Sequence, residues 1–195
     1  MISKIFPEKE PTLYQDNTIR MFKYDRLISS QTNLQEALKS YQNPQNKKYQ
    51  GIMKGHITRL NRIMYSFALY FRREFRYDFV QWGRDLMEDD KVSSWILSED
   101  RIAYGGINFL HESDKTLGEI WVLHWAWVHP FHRNAGRLSY AWDTVTKGKG
   151  PIFLSEPVSQ QMALFALKRE NIHPASRERL KYWLSGGHVD LIGGL

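Results

Sequence analysis

The longest hydrophobic run in the chain lies between Ile120 and Val128, rich in Trp and Val and interrupted only by His124. Such a run predicts a strand buried on both faces, at the centre of a mixed sheet. His129-Pro130 ends it, because proline lacks a donor and restricts the residue before it. Beyond it, Leu138, Ala141, Trp142 and Val145 recur at helical spacing, which predicts a helix from Gly136 to about Lys147. Upstream, Met53, Ile57, Leu60, Met64, Phe67, Phe71 and Phe75 form one stripe, with Arg59, Arg62, Arg73 and Arg76 off it. This is the strongest helix of the N-terminal half, its aromatic stripe read as core and its arginines as a solvated face. Val92 to Ser98 and Arg101 to Leu110 read as two strands joined by a tight turn at Glu99-Asp100. Gly105-Gly106 inside the second implies a bulge or a close backbone approach. After a polar connection from His111 to Gly118, the central strand completes an antiparallel meander of three.

The remaining pattern is weaker. Residues 1–16 read as an extended arm and Thr18 to Tyr24 as a first strand. Thr32-Asn33-Leu34-Gln35 fits a capping box opening a helix through Leu34, Leu38 and Tyr41, which Asn43-Pro44 stops. After the break at Gly148-Lys149-Gly150-Pro151, Ile152 to Ser155 is a short strand. Strand, helix and strand in that order imply a right-handed crossover and a parallel pair. Ser159 to Arg169 and Arg177 to Leu184 read as helices, Gly186-Gly187 as a helix stop, and Val189 to Ile192 as a strand. Together these elements predict a mixed α/β fold in one domain over residues 1–195.

Composition narrows the chemistry. At 195 residues the chain is long enough for a full core. It has no cysteine, which excludes disulfides, thiolate metal sites and a cysteine nucleophile. Met1 to Glu10 lacks the apolar core of a signal peptide, and the run at 120–128 falls short of the roughly 20 residues a membrane span needs. A cytoplasmic protein is expected. The formal charge of +6 suits an anionic partner: a phosphate-bearing cofactor, a nucleic acid or an acidic protein.

A buried strand that feeds through Arg133-Asn134-Ala135-Gly136-Arg137-Leu138 into a helix leaves backbone N–H groups converging without partners, a place for phosphates. This stretch resembles the cofactor signature of the GCN5-related N-acetyltransferase (GNAT) superfamily, roughly V-x-P-x-x-R-x-x-G-x-G/A. Val128, Pro130, Arg133 and Gly136 fall in register, with Leu138 where a second small residue usually stands. The resemblance spans about residues 92–170. It implies a central, mostly antiparallel mixed sheet flanked by helices, with the family's fourth and fifth strands splayed apart. It also implies acetyl-CoA as donor. The N–H groups of Asn134, Ala135, Gly136, Arg137, Leu138 and Ser139 would cradle the pyrophosphate, with charge from Arg133 and Arg137. The strand edge Ala126, Trp127 and Val128 would pair with the pantetheine arm.

Transfer to an amine also needs a base, and a carboxylate that some members carry is replaced here by Val122. His124 matches a histidine of the arylalkylamine N-acetyltransferases, whose V-H-x-x-x-R-x-x-G-R stretch resembles Val128 to Arg137, and it is the expected base. Strand alternation would place it on one face with Ile120, Val122, Ala126 and Val128. The family's acid is often a Tyr in the helix after the fifth strand, where Leu167 stands, so Tyr140 and Tyr182 are the candidates. His111, His129 and His132 share no face, and no metal site is expected. The acceptor stays open: a small amine, a protein amine or a charged tRNA. Two rivals also stay open, a degenerate member that binds CoA or a partner without turnover, and a basic nucleic-acid-binding protein built on the Arg-bearing helix.

Overall fold

The computed structural model describes residues 22–23, 31–42, 50–99 and 102–186. The expected arm at 1–16, most of the first strand and the strand at Val189 to Ile192 lie outside them. The elements are β1 (Phe22–Lys23), β2 (Gln31–Asn33), α1 (Leu34–Gln42), α2 (Gln50–Phe75), α3 (Arg84–Glu88), β3 (Val92–Glu99), β4 (Ile102–Asp114) and β5 (Gly118–Val128). A 3-10 turn (Pro130–His132), α4 (Arg137–Thr146), β6 (Ile152–Leu154), α5 (Gln160–Leu167) and α6 (Pro174–Leu184) follow.

One mixed sheet runs in the order β2-β3-β4-β5-β6, with β1 beside the start of β4. All neighbours are antiparallel except β5 and β6. The meander and the parallel crossover are as the hydrophobic pattern predicts. The sheet and its flanking helices are those the resemblance implies. The polar stretch expected to be a loop is instead strand: His111 to Asp114 pair with Gly118 to Trp121. Polar residues suit this end of the hairpin because it extends past the helices, leaving Glu112, Ser113 and Glu119 without an apolar cover.

Two helical layers cover the sheet. On one face α2 buries Ile57, Leu60, Ile63, Met64, Phe67 and Phe71 against Trp125 and Trp127. Gly106 lies under that helix, where an added Cβ would come within 2.9 Å of Met64 Sδ, so the close approach is real. On the other face α4, α5 and α6 pack Ala141, Trp142, Val145, Ala163, Ala166 and Leu180 against Ile107, Phe109 and Leu123. The start of α1 differs from the capping box. Asn33 Oδ1 accepts from Glu36 N at 3.0 Å, while Gln35 turns inward to the buried backbone of Ser94. A contact to the sheet outweighs a cap that would leave Gln35 in solvent.

Candidate functional site

The site begins with a bulge. Trp125 opposes Asn108 and Leu123 opposes Phe109, so His124 is an extra residue in β5. A bulge shifts the side-chain alternation by one position. Trp121, Leu123, Ala126 and Val128 therefore share the α4–α5 face, and Trp125 and Trp127 the α2 face. Val122 joins Ile120 and Phe153 in a separate cluster. The strict alternation expected from sequence, with Val122 beside Ala126, is corrected here.

At the same place β5 parts from β6. Pairing covers Trp121 to Leu123 only, and one further bond runs from Ser155 N to Leu123 O at 3.0 Å. Among the described residues no strand pairs with the β6 side of Ala126 and Trp127. The carbonyl of Val128 accepts from Arg133 Nε at 2.7 Å, which shortens the free edge at its far end. The gap forms a cleft lined by Phe71, Phe75 and Tyr77 from α2 and its end, His124 and Trp125 from β5, and the Leu154 to Met162 segment.

His124 is half-buried in this cleft, and burial holds its imidazole below the usual histidine range. A polar chain reaches it from α1. The Ser94 amide donates to Gln35 Oε1 at 2.8 Å, which turns Gln35 Nε2 toward Ser94 Oγ at 3.4 Å and Leu86 O at 3.3 Å. Ser94 Oγ donates to Asn108 Oδ1 at 2.7 Å, and Asn108 Nδ2 then faces His124 Nδ1 at 3.4 Å. Reversing the Asn108 amide would leave the buried Ser94 hydroxyl hydrogen without an acceptor, a cost of about 1–3 kcal/mol. Nδ1 of the neutral ring is therefore the acceptor, and the ring proton sits on Nε2.

The turn after β5 presents its backbone outward. Asn134 and Gly136 have φ of 58° and 71°, and Asn134, Ala135 and Gly136 are exposed. Gly136 caps α4 without a side chain, so the amides of Arg137, Leu138 and Ser139 have no capping group. A Cβ on Gly136 would meet nothing within 4 Å, so this backbone borders open space. Leu138 packs against the core on the α4 side and does not crowd the turn.

The arginines differ from expectation. Arg133 is withdrawn from the turn: its Nη1 and Nη2 hold Glu74 at 2.6 Å each, and the Glu74 side chain is fully buried. Trp127 Nε1 donates to the same carboxylate at 2.7 Å. Bidentate geometry and burial make this a fixed structural pair, and Arg133 adds no charge to the turn. Arg137 pairs with Glu99 through Nε at 2.9 Å and lies over the Tyr104 ring. A further cation at the first turn of α4 is Arg169, whose Nη2 donates to Ser139 Oγ at 2.6 Å. Its Nε is buried without a partner. No sequence signal marked Arg169, which arrives from the end of α5.

Tyr140 is 76% exposed on α4 and Tyr182 58% exposed on α6; neither lines the cleft. Tyr77 does, donating to Pro157 O at 3.3 Å, with burial raising its phenol to about 12. A phenol held there releases a proton poorly, so Tyr77 is a wall of the cleft and a poor acid. His129 precedes the 3-10 turn and His132 ends it, and among the described residues no group of three His, Asp or Glu side chains could hold a metal ion. Arg59, Arg62, Arg73 and Arg76 lie on exposed positions.

No family model matches the chain, and no curated protein matches it. Among solved structures it is similar to an aminoglycoside acetyltransferase from an uncultured soil metagenomic sample, at 11% identity and TM-score 0.42 over 72% of this chain and 90% of that one. It is also similar to an aminoglycoside N-acetyltransferase in complex with CoA, at 17% identity and TM-score 0.37 over 47% and 78%. A third is a ribosomal-protein-alanine N-acetyltransferase from Brucella melitensis biovar Abortus 2308, at 15% identity and TM-score 0.37 over 67% and 83%. Likeness at this level assigns no chemistry to the chain.

Proposed function

We propose that this chain is an acyl-CoA-dependent N-acyltransferase, with acetyl-CoA as donor and a primary amine as acceptor. One observation carries the reading: an uncapped helix N-terminus directly follows the strand that splays from its neighbour. The residues present fit a CoA moiety. The outward amides from Asn134 to Ser139 suit a pyrophosphate, helped by the α4 dipole, and Arg169 supplies the charge that Arg133 does not. The free edge at Ala126 and Trp127 suits the pantetheine amides, as an added strand.

Bound there, the donor would supply a thioester carbonyl: the amine nitrogen would form the new C–N bond as the C–S bond breaks, and the departing CoA thiolate would take up the proton that the amine loses. The apolar cleft disfavours an ammonium ion and so favours the neutral, nucleophilic amine. His124, with its proton on Nε2, would donate to the donor's carbonyl oxygen as negative charge develops there. This role replaces the base expected from sequence, because Asn108 occupies Nδ1.

Gly136→Asp tests the reading. Asp tolerates a left-handed backbone better than most residues, and its charge favours a helix N-terminus, so the fold survives. The same charge repels phosphate. Calorimetric titration with CoA is expected to show affinity reduced about tenfold or more. Unchanged affinity in a folded variant overturns the phosphate turn and the reading with it.

A further inference from the structure

We propose that the sheet face beyond α4 carries an aromatic cage for a small quaternary ammonium ion, and that Lys149 fills this cage when the ligand is absent. The proposal goes beyond the acyltransferase reading and does not rest on it. The cage lies past the C-terminal end of α4, whereas the outward amides lie at its start. The 10 residues of that helix, roughly 15 Å of rise, separate the two.

Three strands build the cage. Lys149 Nζ lies over the rings of Trp95 from β3, Phe109 from β4 and Trp121 from β5, at 5.8, 5.3 and 5.1 Å from their centroids. Phe109 is fully buried beneath it, while Trp95 and Trp121 are half-buried and reach the surface. Both tryptophans are held by other groups. Trp95 Nε1 donates to Ser93 Oγ at 3.0 Å, and His111 stacks on Trp121 with centroids 4.7 Å apart. The rings therefore keep their places whichever cation lies over them, and such preorganisation lowers the cost of binding. Glu36, in the first turn of α1, supplies negative charge: burial lowers the Lys149 pKa, and Glu36 opposes that shift.

Lys149 fits this site poorly. Among the described residues no acceptor or carboxylate bonds Nζ, so its three N–H donors have only ring faces and solvent to meet. Ring faces accept hydrogen bonds weakly. A quaternary ammonium brings the same charge with no N–H to satisfy, and its methyl groups pack directly on the rings. Lys149 is also free to leave. Gly148 and Gly150 flank it with φ of 77° and 68°, and a Cβ on either would meet nothing within 4 Å. The turn thus borders open space, and Lys149 N stays bonded to Thr146 O there only through the backbone. Side-chain rotation alone returns the ammonium to water, with the sheet unmoved.

Choline, its unmethylated counterpart ethanolamine and its neutral isostere 3,3-dimethyl-1-butanol separate the roles of methyl groups and charge. Each is titrated against the full chain, with binding read from ligand proton resonances that ring currents shift upfield. We expect choline to bind at least about tenfold more tightly than either analogue. Lys149→Ala removes the resident cation and should tighten choline about fivefold or more. Trp121→Leu should weaken it about tenfold, and Trp95→Leu is the second variant should the first fail to fold. Equal binding by the neutral isostere would make the site merely apolar and overturns the proposal. Weaker choline binding in Lys149→Ala, undiminished binding in the tryptophan variants, or no binding by the native protein overturns it as well.

Discussion

In the proposed reaction His124 is the residue on which the chemistry would turn, and its burial in an aromatic cleft needs the polar chain behind it. Gln35, Ser94 and Asn108 are buried polar residues of α1, β3 and β4, each of which would be costly without the next. Together they fix which ring nitrogen carries the proton. His124→Phe keeps the volume and removes the donor, so kcat is expected to fall about a hundredfold with CoA affinity retained. The pH profile separates donor from base: Nε2–H persists when the ring protonates, so a donor gives no acid limb from His124, whereas a base gives one. Asn108→Asp sharpens the test, because a carboxylate accepts from Nδ1–H and frees the Nε2 lone pair. A rise in kcat in that variant would restore the role of base.

Among elements, α2 and β5 set the site, and Glu74 with Arg133 joins them. The pair anchors the end of α2 to the turn that follows β5, across 59 residues of sequence. It thereby fixes the distance between the aromatic wall and the amides of α4. Arg133→Met would leave the Glu74 carboxylate buried beside Trp127 without its counter-charge. Loss of about 3–5 kcal/mol is expected in urea denaturation. An arginine whose business was the phosphate would instead lower CoA affinity and leave stability alone. On the opposite face of the sheet, Lys149 Nζ sits over the rings of Trp95, Phe109 and Trp121 at 5.8, 5.3 and 5.1 Å. That contact closes the sheet face beyond α4 and explains a lysine between two glycines that punctuate the turn.

At the scale of the whole molecule, the sheet divides two cores, and the site lies where neither closes over it. The end of β5 is sensitive to acid. His129 is buried, and burial, then the neighbouring His132 and Arg133, depress its pKa to about 4. The folded state therefore resists a proton that the unfolded chain takes up below about 6.5. Stability is unaffected above that range and falls as pH drops from about 6.5 toward 4. At pH 5 the loss from this group is about 2 kcal/mol. Urea midpoints at pH 7 and pH 5 measure it, and His129→Gln should narrow the difference between them. An equal difference in the variant would place the acid sensitivity elsewhere.

The long helix α2, the buried central strand, the parallel crossover and the strand-to-helix turn were legible in the chain, because each is a local pattern, whereas β2 and α3 were not. A Trp- and Val-rich run, a 3.6-residue stripe and a glycine at a strand-to-helix junction need no partner to be read. The structure decided what depends on register and on distant contacts. One bulge at His124 shifted every side chain before it relative to those after it, which alternation alone does not reveal. Arg133 read as a phosphate ligand because Glu74, its partner, lies far away in sequence. Arg169, Tyr77 and Asn108 reached the site only through packing of α5, α2 and β4 around the splay of β5 from β6. Sequence set the chemistry available at each position; three-dimensional proximity set which groups are already spent on one another and which remain to act.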